Sequence, residues 1–231
     1  RLLDEAGSPA TMAMAGPRFF GVVIGGSLPV TLAANWLAGA WDQNTALYNA
    51  TPGTAWIEQV ALRWLLDVLK LPPGSGGAFV TGATVANFCG LAAARHAVLR
   101  RHGWNVEADG LFGAPPITVI VGEEAHTTLF KALGLLGFGR NRLIKVPVDD
   151  QGRMRADALP AIYGPTILCL QAGNPNTGSF DPFPEIIPRA RQAGAWVHVD
   201  GAFGLWAAAA PDLEALTRGI TQADSWGTDA H

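Results

Sequence analysis

The chain has 231 residues, 16 Lys and Arg against 19 Asp and Glu, and a formal net charge of −3. That length suits one large domain or two small ones and is enough to bury roughly 70–75% of the unfolded surface. Mild acidity with no basic run argues against a nucleic-acid or membrane-surface partner, and no stretch reaches the roughly 18 uninterrupted apolar residues of a bilayer span.

Hydrophobic residues make up 49% and charged ones 15%, a thin solvated surface that predicts a large subunit interface. Cys89 and Cys169 stand apart in apolar surroundings and read as buried free thiols of a reducing compartment. With no signal-peptide pattern, the expectation is a soluble, cytoplasmic protein. Arg1-Leu-Leu-Asp-Glu reads as the tail of a helix, and Asp224 to His231 as a strand entering a functional loop. The chain therefore reads as an internal segment of a longer protein.

In chain order, residues 1–50 are rich in Gly, Ala and Pro, with loop signals at Gly16-Pro-Arg-Phe-Phe-Gly21 and Gly25-Gly-Ser-Leu-Pro29. Leu28 to Trp41 reads as a helix. A second is expected after Thr54 as N-cap, where Ile57, Val60, Ala61, Trp64, Leu65, Val68 and Leu69 recur at helical spacing. It closes at Pro72-Pro-Gly-Ser-Gly-Gly77. From there strands are predicted at 78–81, 117–121, 142–148, 166–170 and 196–200, with 224–228 as a last one. The helices between them are predicted at 84–101, 127–136, 156–163, 183–193 and 213–222. Strands joined by helical crossovers predict an α/β fold with a mostly parallel sheet and helices on both faces.

Ligands of such sheets bind beyond the carboxyl ends of the strands. In Ala195-Trp-Val-His-Val-Asp-Gly-Ala-Phe-Gly204, alternation puts His198 and Asp200 on one face. A carboxylate buried there is driven neutral unless it meets a cation, and Gly201, Ala202 and Gly204 leave room for a flat group. A protonated pyridine satisfies both demands; the plainer reading is an Asp that ends a strand as a turn-former or helix cap. Gly82-Ala-Thr places the Ala83 and Thr84 amides and a hydroxyl at a helix start suited to a phosphate, although an ordinary Thr-capped helix reads the same way. It matches neither common nucleotide-loop motif. His126, at or before another helix start, can stack on a planar ligand or simply cap. Asn174 lies in a loop of small and amide residues after the strand at 166–170. Asp229 and His231 close the series. No His/Cys pair has metal-ligand spacing, so no metal is expected.

Gly82-Ala-Thr-Val-Ala-Asn, Ala125-His-Thr-Thr, Gly173-Asn-Pro-Asn-Thr-Gly-Ser-Phe-Asp181, His198-Val-Asp-Gly-Ala and Asp224-Ser-Trp-Gly-Thr-Asp-Ala-His231 together resemble the group II pyridoxal-phosphate-dependent amino-acid decarboxylases. These are the relatives of aromatic-L-amino-acid and glutamate decarboxylase, and the likeness runs from about Gly16 to His231. It implies an aspartate-aminotransferase-like (fold type I) large domain over 51–231, with residues 1–50 as an N-terminal segment packing on that domain and on a dimer partner. It implies pyridoxal 5'-phosphate as cofactor, with Asp200 at the pyridine nitrogen, Ala202 on one ring face and His126 on the other. Ala83 and Thr84 would grip the phosphate, Asp229 and His231 would lie near it, and Asn174 would lie beneath the cofactor edge. His126 and Asp200 would carry the catalytic roles.

The activity so implied is decarboxylation of an L-amino acid by a homodimer with its active site at the interface. In this family the cofactor-linking lysine follows Asp-Ala-His, the position directly after His231. Lys70, Lys131 and Lys145 fall in helices or mid-strand and do not replace it. Gly16-Pro-Arg-Phe-Phe stands where relatives have His-Pro and aromatics, and Gly25 where they often touch substrate, so the substrate class stays open. Another lyase or a transaminase on the same fold, and a non-catalytic relative lacking the lysine, are the competing readings.

Overall fold

Five aliphatic runs pair into one parallel sheet: β1 (Thr118–Gly122), β2 (Ile144–Val146), β3 (Thr166–Gln171), β4 (Trp196–Asp200) and β5 (Ser225–Gly227), in the order β2-β1-β3-β4-β5. The computed structural model describes residues 1–230 apart from Phe20, Val23 and Ala46. They fall into two units: Arg1–Val60 with the C-terminal Ala230, and Ala61–Asp229.

The first unit holds α1 (Leu2–Gly7), α2 (Pro29–Trp41) and the opening of α3 (Pro52–Val68). Pro29 sits at the first position of α2, where its missing N–H costs nothing. The Thr31 hydroxyl accepts the Leu28 N–H at 3.0 Å, and Asp42 ends the helix in the left-handed region. Val30, Leu32, Trp36, Leu37 and Trp41 of α2 are all exposed. α3 begins two residues before Thr54, which lies inside the helix.

The second unit contains the sheet, the rest of α3, and α4 (Ala83–Arg101), α5 (Val106–Asp109), α6 (Thr127–Leu135) and α7 (Phe183–Gln192). Alternate strand residues feed two cores. Val119, Val121, Ile167 and Cys169 pack with Leu91, Ala94 and Val98 of α4 and Leu129, Ala132 and Leu133 of α6. Ile120, Leu168, Leu170, Val197 and Val199 pack with Phe183, Ile186, Ile187 and Ala190 of α7 on the other side. A parallel sheet with helices on both faces is thus present as expected. α4 is rich in Ala, the best helix former, and Arg100 and Arg101 in its last turn complement the helix dipole.

Four of the expected elements differ. Residues 78–81 form no strand; Phe79 and Val80 are exposed, and among the described residues no ladder partner pairs with them. The run expected over 142–148 pairs only at Ile144–Val146, because a 3₁₀ turn occupies Arg140–Arg142 and Pro147 lacks a donor. The helix expected at 156–163 is a single 3₁₀ turn, Ala156–Ala158, since Pro160 restricts Leu159 and removes an N–H. The helix expected at 213–222 is two short 3₁₀ turns, Glu214–Thr217 and Ile220–Gln222, parted by Gly219 at φ 86°. Of the two thiols, Cys169 is buried as expected whereas Cys89 is exposed.

Candidate active site

β4 delivers the central carboxylate. Val197 and Val199 enter one core, so His198 and Asp200 point to the opposite face, where α4 lies. Asp200 is 5% exposed. One carboxylate oxygen, Oδ1, accepts the Ala202 N–H at 3.3 Å, and the other, Oδ2, accepts Nδ2 of Asn87 at 3.0 Å. Burial raises its pKa above the usual carboxylate value; these two hydrogen bonds and the nearby His126 pull it back by less. Among the described residues no Lys or Arg forms an ion pair with it. A carboxylate held this way gains from any cation set against it.

In front of Asp200 lies a narrow cleft bordered by Gly122, Ala125 and His126 on one side and by Cys169, Gln171 and Asp200 on the other. His126 is the N-cap of α6. Its Nδ1 lies 2.8 Å from the Thr128 hydroxyl and accepts the Thr128 N–H at 3.4 Å, which ties one edge of the ring to the helix. That leaves a flat, exposed imidazole across the cleft from a buried carboxylate. The Cys169 thiol in the cleft wall is held protonated, because burial and the neighbouring Asp200 push its pKa up.

Gly82, at φ 109°, turns the chain into α4 through a conformation that side chains resist. The Ala83 N–H donates to Oδ2 of Asp229 at 3.1 Å, so a carboxylate oxygen already rests on this helix start. The Thr84 hydroxyl makes no side-chain hydrogen bond among the described residues. The structure therefore brings His126 and Asp200 to one cleft, joins Ala202 to Asp200 through its N–H, and pairs Ala83 with Asp229. His231 lies outside the described residues.

Asn174 is placed differently. Its carbonyl oxygen accepts the Asn176 and Thr177 N–H groups and its NH₂ donates to Glu124, so both ends organise its own loop. Gln171, paired in register with Asp200, borders the cleft instead. Sequence reasoning passes over four residues here: Asn87, Gln171, Ser225 and Asp181. Asp181 is buried at the cleft wall and accepts the Met154 and Gln171 N–H groups, both at 2.7 Å. The available signal was an isolated polar residue on an apolar face: Asn87 precedes Leu91, Ala94 and Val98 along the buried side of α4.

The donor set suits a flat, anionic cofactor with a protonatable ring: a buried carboxylate without a cation, an imidazole across a cleft, and a helix start that holds an anionic oxygen. Comparison with known proteins bears on this. The family model of the pyridoxal-dependent decarboxylase conserved domain matches residues 9–231. Tryptophan decarboxylase 1 of Oryza sativa subsp. japonica is 29% identical, over 96% of this chain and 47% of its own length. An acidic amino acid decarboxylase of Mus musculus is 28% identical over 93% of this chain and 40% of its own. A crystal structure of the Oryza sativa enzyme with pyridoxal phosphate and tryptamine superposes with TM-score 0.81 at 26% identity, covering 98% of this chain and 51% of that one. The chain spans about half the length of these relatives or less.

Proposed function

Because the chain belongs to the pyridoxal-dependent decarboxylase family, we propose that the full-length protein is a pyridoxal 5'-phosphate-dependent carboxy-lyase that converts an L-amino acid to its amine and CO₂. One observation supports this above the rest: Asp200 is a buried carboxylate without a cationic partner among the described residues, facing a cleft whose far wall is His126. When bound, the cofactor supplies a protonated pyridine ring that takes up the electron pair released as CO₂ departs. Asp200 keeps the proton on the ring nitrogen. His126 stacks on one ring face, and Ala202 limits how far the ring can tilt on the other. Thr84 and the Ala83 amide would hold the phosphate at the start of α4, the amide turning to it from Asp229, which stays beside it. Asn174 acts one layer out, by shaping the loop behind the cleft.

On this reading residues 51–231 are the cofactor domain, and residues 1–50 form a segment that meets the partner in a cytoplasmic homodimer. The exposed apolar residues of α2 support that interface. Among the described residues no helix is long and apolar enough to cross a membrane, and no metal-binding cluster is found.

The test is Asp200→Ala in the full-length protein. It should stay folded, bind the cofactor weakly and lose decarboxylation by orders of magnitude, measured as CO₂ release across a panel of aromatic and acidic L-amino acids. Near-normal turnover in that variant would remove the basis of the assignment.

A further inference from the structure

Behind Asp200 runs a row of four polar side chains drawn from α4, β4 and β5, the outer two half-buried and the inner two buried. The Trp196 indole Nε1–H donates to Oγ of Ser225 at 2.9 Å. The same Oγ lies 2.9 Å from Nδ1 of His198, and Nε2 of His198 lies 3.0 Å from Oδ1 of Asn87. Nδ2 of Asn87 completes the row on Oδ2 of Asp200 at 3.0 Å. Asn87 and His198 are fully buried.

The chemistry of the two ends dictates the direction of every bond between them. An ionised carboxylate only accepts, so Asn87 must turn its NH₂ to Asp200 and its carbonyl to His198. That carbonyl needs a donor, so Nε2 of His198 carries the proton. Burial keeps the ring neutral, with its pKa pushed down to about 4, which leaves Nδ1 bare. The Ser225 hydroxyl must then donate to Nδ1 and accept from Trp196, which can only donate. The opposite polarity would turn Asn87 Oδ1 toward Asp200 and require a protonated carboxyl there. It would also give Ser225 two donors and no acceptor for its own proton among the described residues.

We propose that Trp196, Ser225, His198 and Asn87 form a one-directional hydrogen-bond wire that positions the Asp200 carboxylate and holds it in the anionic form the cofactor ring requires. The four act as positioning residues, and the inference rests on the reading that Asp200 faces the ring nitrogen. Space is reserved for the wire by two glycines. A Cβ on Gly90 of α4 would lie 2.7 Å from Cε1 and 2.8 Å from Nδ1 of His198, and one on Gly227 of β5 would lie 2.6 Å from Oδ1 of Asn87. Neither His198 nor Asn87 can yield, since each is held at both ends.

The experiment uses the full-length protein labelled with ¹⁵N-histidine, in four forms besides wild type: Ser225→Ala, Ser225→Thr, Asn87→Leu and Asp200→Asn. Nitrogen shifts of His198 in the cofactor-free protein report the tautomer, and equilibrium dialysis with pyridoxal 5'-phosphate reports affinity. Wild type should show Nε2 protonated and Nδ1 as a hydrogen-bonded acceptor. Ser225→Ala, which does not touch Asp200, should lose that pattern and weaken cofactor binding about three- to tenfold. Asn87→Leu should weaken it about tenfold or more, and Ser225→Thr should restore both readouts. If Asp200→Asn loses the cofactor while Ser225→Ala and Asn87→Leu keep wild-type affinity and an unchanged His198 pattern, the wire is overturned and the functional reading stands. If Asp200→Asn also binds normally, the reading itself fails and the wire falls with it.

Discussion

Acid should destabilise this fold through His198 before most carboxylates respond. The ring is fully buried, and burial lowers its pKa from 6.5 to about 4. The unfolded chain therefore takes up a proton near pH 6.5, whereas the folded chain takes it up only near pH 4. The contribution of neutral His198 is fully present above about pH 6.5 and is lost as pH falls through that window. The slope approaches about 1.4 kcal/mol per pH unit, which removes about 2 kcal/mol by pH 5 and about 3 kcal/mol by pH 4. The assay is urea unfolding of the full-length protein at pH 7 and pH 5, beside His198→Gln. Glutamine does not titrate, so the variant, although less stable at pH 7, should lose about 2 kcal/mol less between the two pH values. Asp181 titrates in the same range with the opposite sign, but it is common to both proteins and cancels in the comparison. Parallel losses in the two proteins would refute the placement of a neutral, solvent-excluded imidazole at position 198.

Gly227→Ala brings a methyl group 2.6 Å from Asn87 Oδ1; it should cost about 1–3 kcal/mol by overpacking, read by thermal unfolding, and should also weaken cofactor affinity by displacing Asn87. Asp181→Asn can accept at only one atom, so either the Met154 or the Gln171 N–H loses its partner, at about 1–3 kcal/mol. Burial raises the Asp181 pKa to about 6, so its contribution is fully present below about pH 4 and lost as pH rises through 6. The stability gap between wild type and Asp181→Asn should therefore narrow from pH 4 to pH 7, and a gap that widens would contradict the assignment.

What the sequence revealed divides along a physical line. The helix Pro52–Val68 and the strand Trp196–Asp200 declare themselves through periodicity, which is a property of neighbouring residues. Residues 78–81 have the composition of a strand, but a strand exists only where a partner offers a ladder, and composition carries no information about partners. The expected helices at 156–163 and 213–222 failed for a local reason that periodicity overlooks: Pro160 and Gly219 interrupt them.

The site obeys the same division. Asp200, His126 and Ala83 sit at element ends, where chemistry-bearing residues are visible by position alone. Asn87 and Ser225 act across the fold; Asn87 reaches Asp200 over a separation of 113 residues. Each looks on its own like a polar imperfection in an apolar element. Yet a buried amide and a buried imidazole are tolerated only when every donor and acceptor is met. The neutral state of His198, the orientation of Asn87 and the charge of Asp200 are therefore one linked choice. A substitution at Ser225, which touches no ligand, should for that reason be felt at the carboxylate.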